Sequence, residues 1–159
     1  MSFPFRACAG VCLTLCSMTA AAGGAEPSFQ IWLNPGFLSR HSDRSQDYRE
    51  DNIGFGAEAV FVPDHGFFAG TYINSDGVRS RYGMYQWRPL HWQLKHVSVS
   101  GGLIAGFMDG YPKNDGGWFF AALPMLFFEG ERLGANFAII PTSDPDHRLV
   151  AIQLKLRVQ

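Results

Sequence analysis

The chain has 159 residues, a formal net charge of -1 and 47% hydrophobic residues. That length suits one domain around one core, and the near-neutral balance gives no electrostatic reason to expect nucleic acid as a partner. Aromatic residues reach 14% and glycines number 18, a pairing that favours pleated sheets with bulges and tight turns.

At the N-terminus, Arg6 precedes an apolar run, and the small residues Ala20-Ala21-Ala22 and Gly23-Gly24-Ala25 follow it. This predicts a cleavable signal peptide over residues 1–25 and a mature domain over residues 26–159. A lipoprotein signal fits less well, because Leu15 before Cys16 is bulkier than such a site wants. Cys8, Cys12 and Cys16 all fall inside the signal. The mature chain is therefore expected to carry no disulfide, no catalytic thiol and no thiolate metal site.

Beyond the signal the longest apolar run, Trp118 to Phe128, falls short of the roughly 18 residues a membrane-spanning helix needs and is broken by Pro124. The exported chain is then either soluble or a closed β-barrel in a membrane.

Strand signals follow in order. Gln30 to Leu38 comes first. In "NIGFGAEAVFV" (52–62), Ile53, Phe55, Ala57, Ala59 and Phe61 oppose Gly54, Gly56 and Glu58. Gly66 to Asn74 and Arg79 to Arg88 flank the turn Asn74-Ser75-Asp76-Gly77. "HVSVSGGLIAGF" (96–107), Gly117 to Phe128, and "RLGANFAII" (132–140) continue the series. In "VAIQLKLRV" (150–158) five aliphatic residues share one face and Ala151, Gln153, Lys155 and Arg157 the other, a period of two without a break.

The count predicts an all-β fold, an eight-stranded antiparallel up-and-down outer-membrane barrel. Its short connections lie on the side of the termini (63–66, 89–95 and 129–131) and its longer polar loops on the other. A soluble barrel enclosing lipid shares that count, but its apolar face would point inward. Small residues on one face and aliphatics with Phe on the other favour the membrane form. On that frame Glu58 with Lys155 and Arg157 reads as an interior ion pair, and Tyr85, Trp87, Trp92 and Trp118 as interfacial girdles.

Several short motifs carry a resemblance. "DYREDNIGFGAEA", "FFAGTYINSDGVRSRYGMYQWRPL", "LPMLFF" and "IIPTS" occur in an order that resembles the outer-membrane lipid A palmitoyltransferase (PagP) family. The resemblance spans most of the mature chain. It implies a barrel that moves a palmitoyl chain from a phospholipid to lipid A, with outer-membrane lipids as its partners, working as a monomer without a cofactor. In that family a His in the first outer loop and an Asp-Ser pair at the second are catalytic. These positions fall on His41 and on Asn74 and Ser75, so that the Asp is replaced and Asp76 supplies a carboxylate one residue later.

Acyl transfer from an ester needs an attacking hydroxyl, a base for its proton and donors for the developing oxyanion. His41 suits the base; Ser75 suits a nucleophile or a donor; Asn74 suits a donor; Asp76 would orient His41 if the loops fold together. The competing reading is that Asn, Ser, Asp and Gly only shape the turn. Arg40, Arg44, Arg79 and Arg81 are candidates for gripping lipid A phosphates, with a solvated loop surface as the alternative. Pro35, Pro124 and Pro141 each remove a ladder donor, which would loosen strand pairing and let a lipid chain pass sideways, or would simply mark a bulge or strand end. The other histidines have no metal-ligand spacing, so no metal is expected.

Overall fold

In the computed structural model the described residues are 29–159 without 44, 46, 63 and 141–147. The expected signal peptide with its three cysteines lies outside them, as do Arg44 and Pro141.

Eight strands run in chain order: β1 (Gln30–His41), β2 (Asp51–Val62), β3 (His65–Ile73), β4 (Arg79–Leu94), β5 (Val97–Met108), β6 (Phe119–Glu129), β7 (Leu133–Ile140) and β8 (Leu149–Arg157). Each pairs antiparallel with its neighbours, and β8 returns to β1, so the sheet closes on itself. A 3₁₀ turn, Pro112–Asn114, sits in the loop between β5 and β6.

The side-chain alternation settles which face is which. Ile53 and Phe55 on β2, Leu103 and Phe107 on β5, and Leu154 on β8 point outward and are exposed, whereas Glu58, Gln153 and Lys155 are buried within. Greasy outside and polar inside is the reverse of a soluble lipid carrier. Two of the glycines on the inner face are filled by neighbours. A methyl group on Gly56 or Gly70 would strike the phenol oxygen of Tyr82, so these positions seat a large side chain instead of leaving a void.

The turn-side half of the interior is packed with charge. Lys155 Nζ donates to both oxygens of Glu58 at 2.9 and 3.1 Å and to Glu129 Oε1 at 2.6 Å. Arg88 bonds the same two carboxylates, and Asn136 Nδ2 adds a bond to Glu58 Oε2 at 2.9 Å. Trp32 and Phe127, both fully buried, lie against Lys155, and Arg88 stacks on Phe127 at 3.7 Å. Charges removed from water in this way hold only when paired and hydrogen-bonded, and here they are. The interior ion pair read from alternation holds for Glu58 and Lys155, inside a network of four charges; Arg157 stands outside that network, its guanidinium over the Trp32 ring at 4.5 Å.

Two expectations from the sequence need correction. Residues 89–95 are not a connection: β4 continues to Leu94 and turns at Lys95-His96, with a register shift between Trp87 and Leu90. The Arg88-Pro89 bulge accommodates a proline without ending the strand. Likewise β1 runs past Leu38, so His41 is the last residue of a strand, paired with Leu149 of β8, and not a loop residue.

Candidate active site at the outer rim

The site begins with the turn after β3. Asn74 is fully buried, and its side chain is spent on the turn. Oδ1 accepts the backbone N–H of Asp76 and of Val78, each at 3.0 Å, while Nδ2 donates to Ser80 Oγ at 3.1 Å and to the Gly110 carbonyl at 2.9 Å. Gly77 closes the turn onto the Asn74 carbonyl at 2.9 Å with φ +76°, a conformation that favours glycine. Asn74 and Gly77 thus shape the turn.

Ser75 behaves differently. Its Oγ lies 3.0 Å from His41 Nε2, across 34 residues of sequence; which atom donates depends on the imidazole tautomer. Its carbonyl accepts the Arg49 N–H at 3.0 Å, which ties the first outer loop to the second. Asp76 is exposed, and its backbone N–H donates to Asn74 Oδ1 at 3.0 Å. Glu50 Oε1 accepts the backbone N–H of His41 at 3.2 Å, and the Tyr48 ring stacks on the imidazole with centroids 4.3 Å apart. Sequence reading passed over the role of both residues, although the "DYRED" stretch containing them had been picked out as a motif.

Below Ser75 the barrel is hollow. A cavity of about 390 Å³ is lined by Ser75 and Ser39 near the rim and by Phe37, Tyr72, Met84, Ile104 and Met125 along its walls. Its lining includes Asn136 and Gln153, where the polar network of the lower half begins. Met84, Met108 and Met125 all line this space.

Two stretches of the wall are thinly stitched. Pro35 sits where β1 shifts register against β2, and β1 has no β8 partners between Leu33 and Leu38. Next to it Gly36 has φ +102°, and any side chain there would collide with the backbone of Asn52 and Gly54. Pro124 pairs with Leu103 of β5, but β6 joins β7 only from Met125 to Glu129 among the described residues. Ala122, on the outward face of β6, nonetheless lines the cavity, so the space reaches the wall beside Pro124.

The arginines divide. Arg40 is largely exposed and approaches Glu50 Oε2 at 3.4 Å; Arg79 is exposed at the start of β4. Arg81 is engaged as a latch: Nε and Nη2 donate to Asp109 Oδ2 at 2.8 and 2.5 Å, its backbone N–H donates to Oδ1 at 2.7 Å, and its guanidinium stacks on Trp118 at 5.3 Å. Burial works to raise the Asp109 carboxyl, but the Arg81 bonds more than offset it and hold it below the usual carboxylate value. Tyr111, in the same loop, bonds Tyr72 through their hydroxyls at 2.8 Å, and burial pushes its phenol up, so it stays protonated.

No family model matches this chain, and no curated protein matches it at a significant level of similarity.

Proposed function

We propose that this barrel resides in an outer membrane and transfers an acyl chain from a phospholipid to lipid A, as the resemblance to lipid A palmitoyltransferases suggests. The observation that carries the reading is the His41–Ser75 contact of 3.0 Å at the mouth of an apolar cavity of about 390 Å³. A base and a hydroxyl are needed at an ester, and a greasy blind tube suits the chain attached to it.

In this reading the acyl chain lies among Phe37, Met84, Ile104 and Met125, with its carbonyl at the rim beside Ser75. His41 takes a proton from the attacking hydroxyl as the new ester C–O bond forms, and returns it to the glycerol oxygen as the old bond breaks. One ester replaces another, and nothing is oxidised or reduced. The weakly paired wall by Pro124 is the route for a chain to pass from the bilayer to the cavity.

The outer surface supports the membrane setting. Phe29, Phe61, Phe67, Tyr85 and His65 form a chain of ring contacts 5.4 to 5.9 Å apart around the turn side of the barrel, and Phe107 meets Phe120 at 5.8 Å nearer the loop side. Two aromatic zones flanking an apolar wall suit the two membrane interfaces.

The test is acyl transfer by the purified full-length barrel in mixed micelles of phospholipid and lipid A. Lipid A heavier by one acyl chain is expected; failure to form it or to release lysophospholipid would contradict the proposal. The second reading, a barrel without catalysis that binds lipid or stiffens the membrane, is favoured by the replacement of the family's Asp by Asn74. A lipid A phenotype lost in the His41→Ala, Ser75→Ala double variant, with folding intact, would refute it.

A further inference from the structure

An imidazole that serves as a base works only if its ring is held in one orientation, a task that falls to a third group beside the base and the hydroxyl. Glu50 bonds the His41 backbone N–H with Oε1 and meets Arg40 with Oε2. The flat face of the imidazole is met by Tyr48, half-buried, with ring centroids 4.3 Å apart and planes inclined by 20°.

The adjoining residues grip the same pair. Arg49 donates its backbone N–H to the Ser75 carbonyl at 3.0 Å, and the Glu50 carbonyl accepts the Ser39 N–H at 2.8 Å. Three consecutive residues thus touch the imidazole ring, the backbone of the serine and the strand that carries the histidine. Stacking fixes the ring plane, and the backbone bonds fix the distance across which Nε2 faces Oγ.

We infer that Tyr48 is a positioning residue of the His41–Ser75 pair, holding the imidazole by its aromatic face. The catalytic consequence rests on the acyl-transfer reading above; the contact itself does not. Because the face of the ring acts and not its hydroxyl, phenylalanine should substitute and alanine should not.

The experiment uses the folded full-length barrel in micelles with labelled histidine, the His41 signals being assigned by their loss in His41→Ala. In the wild-type protein the Tyr48 ring current should displace the His41 ring-proton resonances. The displacement should vanish in Tyr48→Ala and persist in Tyr48→Phe. In acyl transfer, Tyr48→Ala should lower kcat about tenfold to a hundredfold, as a small misplacement of a catalytic group does, with KM unmoved, and Tyr48→Phe should stay near wild type. Resonances that do not respond to Tyr48→Ala, or an unchanged kcat in that variant, would overturn the inference. A wild-type barrel that shows the displaced resonances but transfers no chain supports the stacking while overturning the acyl-transfer reading, so the two failures are distinguishable.

Discussion

The two halves of the barrel interior are built on opposite plans. On the turn side, Glu58, Arg88, Glu129 and Lys155 fill the lumen with paired charge, backed by Trp32 and Phe127. On the loop side the lumen is hollow and mostly apolar, with Ser39 and Ser75 near the rim and Asn136 and Gln153 where it meets the charged half. A barrel this narrow can fill its interior with side chains or keep room for one ligand, and this one does each in a different half. Stability is concentrated below, where removing one partner strands a buried charge. The proposed acyl transfer would sit above, where the lumen is open.

The largest expected effect comes from breaking the lower half. Glu58→Ala leaves Lys155 and Arg88 short of a buried partner and should cost about 3 to 5 kcal/mol, read as an earlier midpoint in urea unfolding from micelles. Acyl transfer by the fraction that folds should survive.

The converse change is His41→Ala in the upper half. It should lower the transfer rate by about a hundredfold or more, the usual worth of a positioned base, while the unfolding midpoint moves by no more than about 0.5 kcal/mol equivalent. If the two variants exchanged phenotypes, the division of labour would be wrong.

Asn74 sharpens the boundary between the halves. Asn74→Asp restores a carboxylate but removes the donors to Ser80 Oγ and the Gly110 carbonyl and turns a buried negative charge toward a carbonyl oxygen. A loss of about 1 to 3 kcal/mol is expected, with no gain in transfer rate. A faster Asn74→Asp enzyme would mean that this side chain serves the chemistry and not the turn.

The smallest effect concerns the loop latch. The Asp109 carboxyl is held below its ordinary value by Arg81, so its stabilisation is fully present above the usual carboxylate range and fades as pH falls through the depressed value. Arg81 is about two-thirds exposed, which weakens the effect through solvent screening. Amide exchange in residues 109–118 should quicken at low pH in the wild-type protein and show less of that response in Asp109→Asn.

Much of the frame was legible because strand periodicity is a local property. Leu154 and Lys155 differ by one residue and must face opposite ways, so the alternation alone places one outward and the other beside Glu58. The strand ends were less so. The end of β1 depends on pairing with Leu149, which lies more than a hundred residues further on, and the course of β4 past Pro89 depends on a bulge that propensity does not announce. The site was half legible. That Ser75 meets His41 follows from the end of β1 and the turn after β3 sharing a rim, whereas the division of work within Asn74-Ser75-Asp76 depends on hydrogen bonds to Ser80 and Gly110 that no turn signature contains. Tyr48 gave no signal beyond its motif, because a stacking partner has no required spacing from the ring it covers.

Mass spectrometry of lipid A tests the central claim most directly, comparing cells that express the wild-type chain with cells that express the His41→Ala, Ser75→Ala double variant at equal levels of folded barrel. The wild type should add the mass of one acyl chain and the double variant should add none. Identical lipid A from both would contradict the claim that the rim pair above the apolar cavity is an acyl-transfer site.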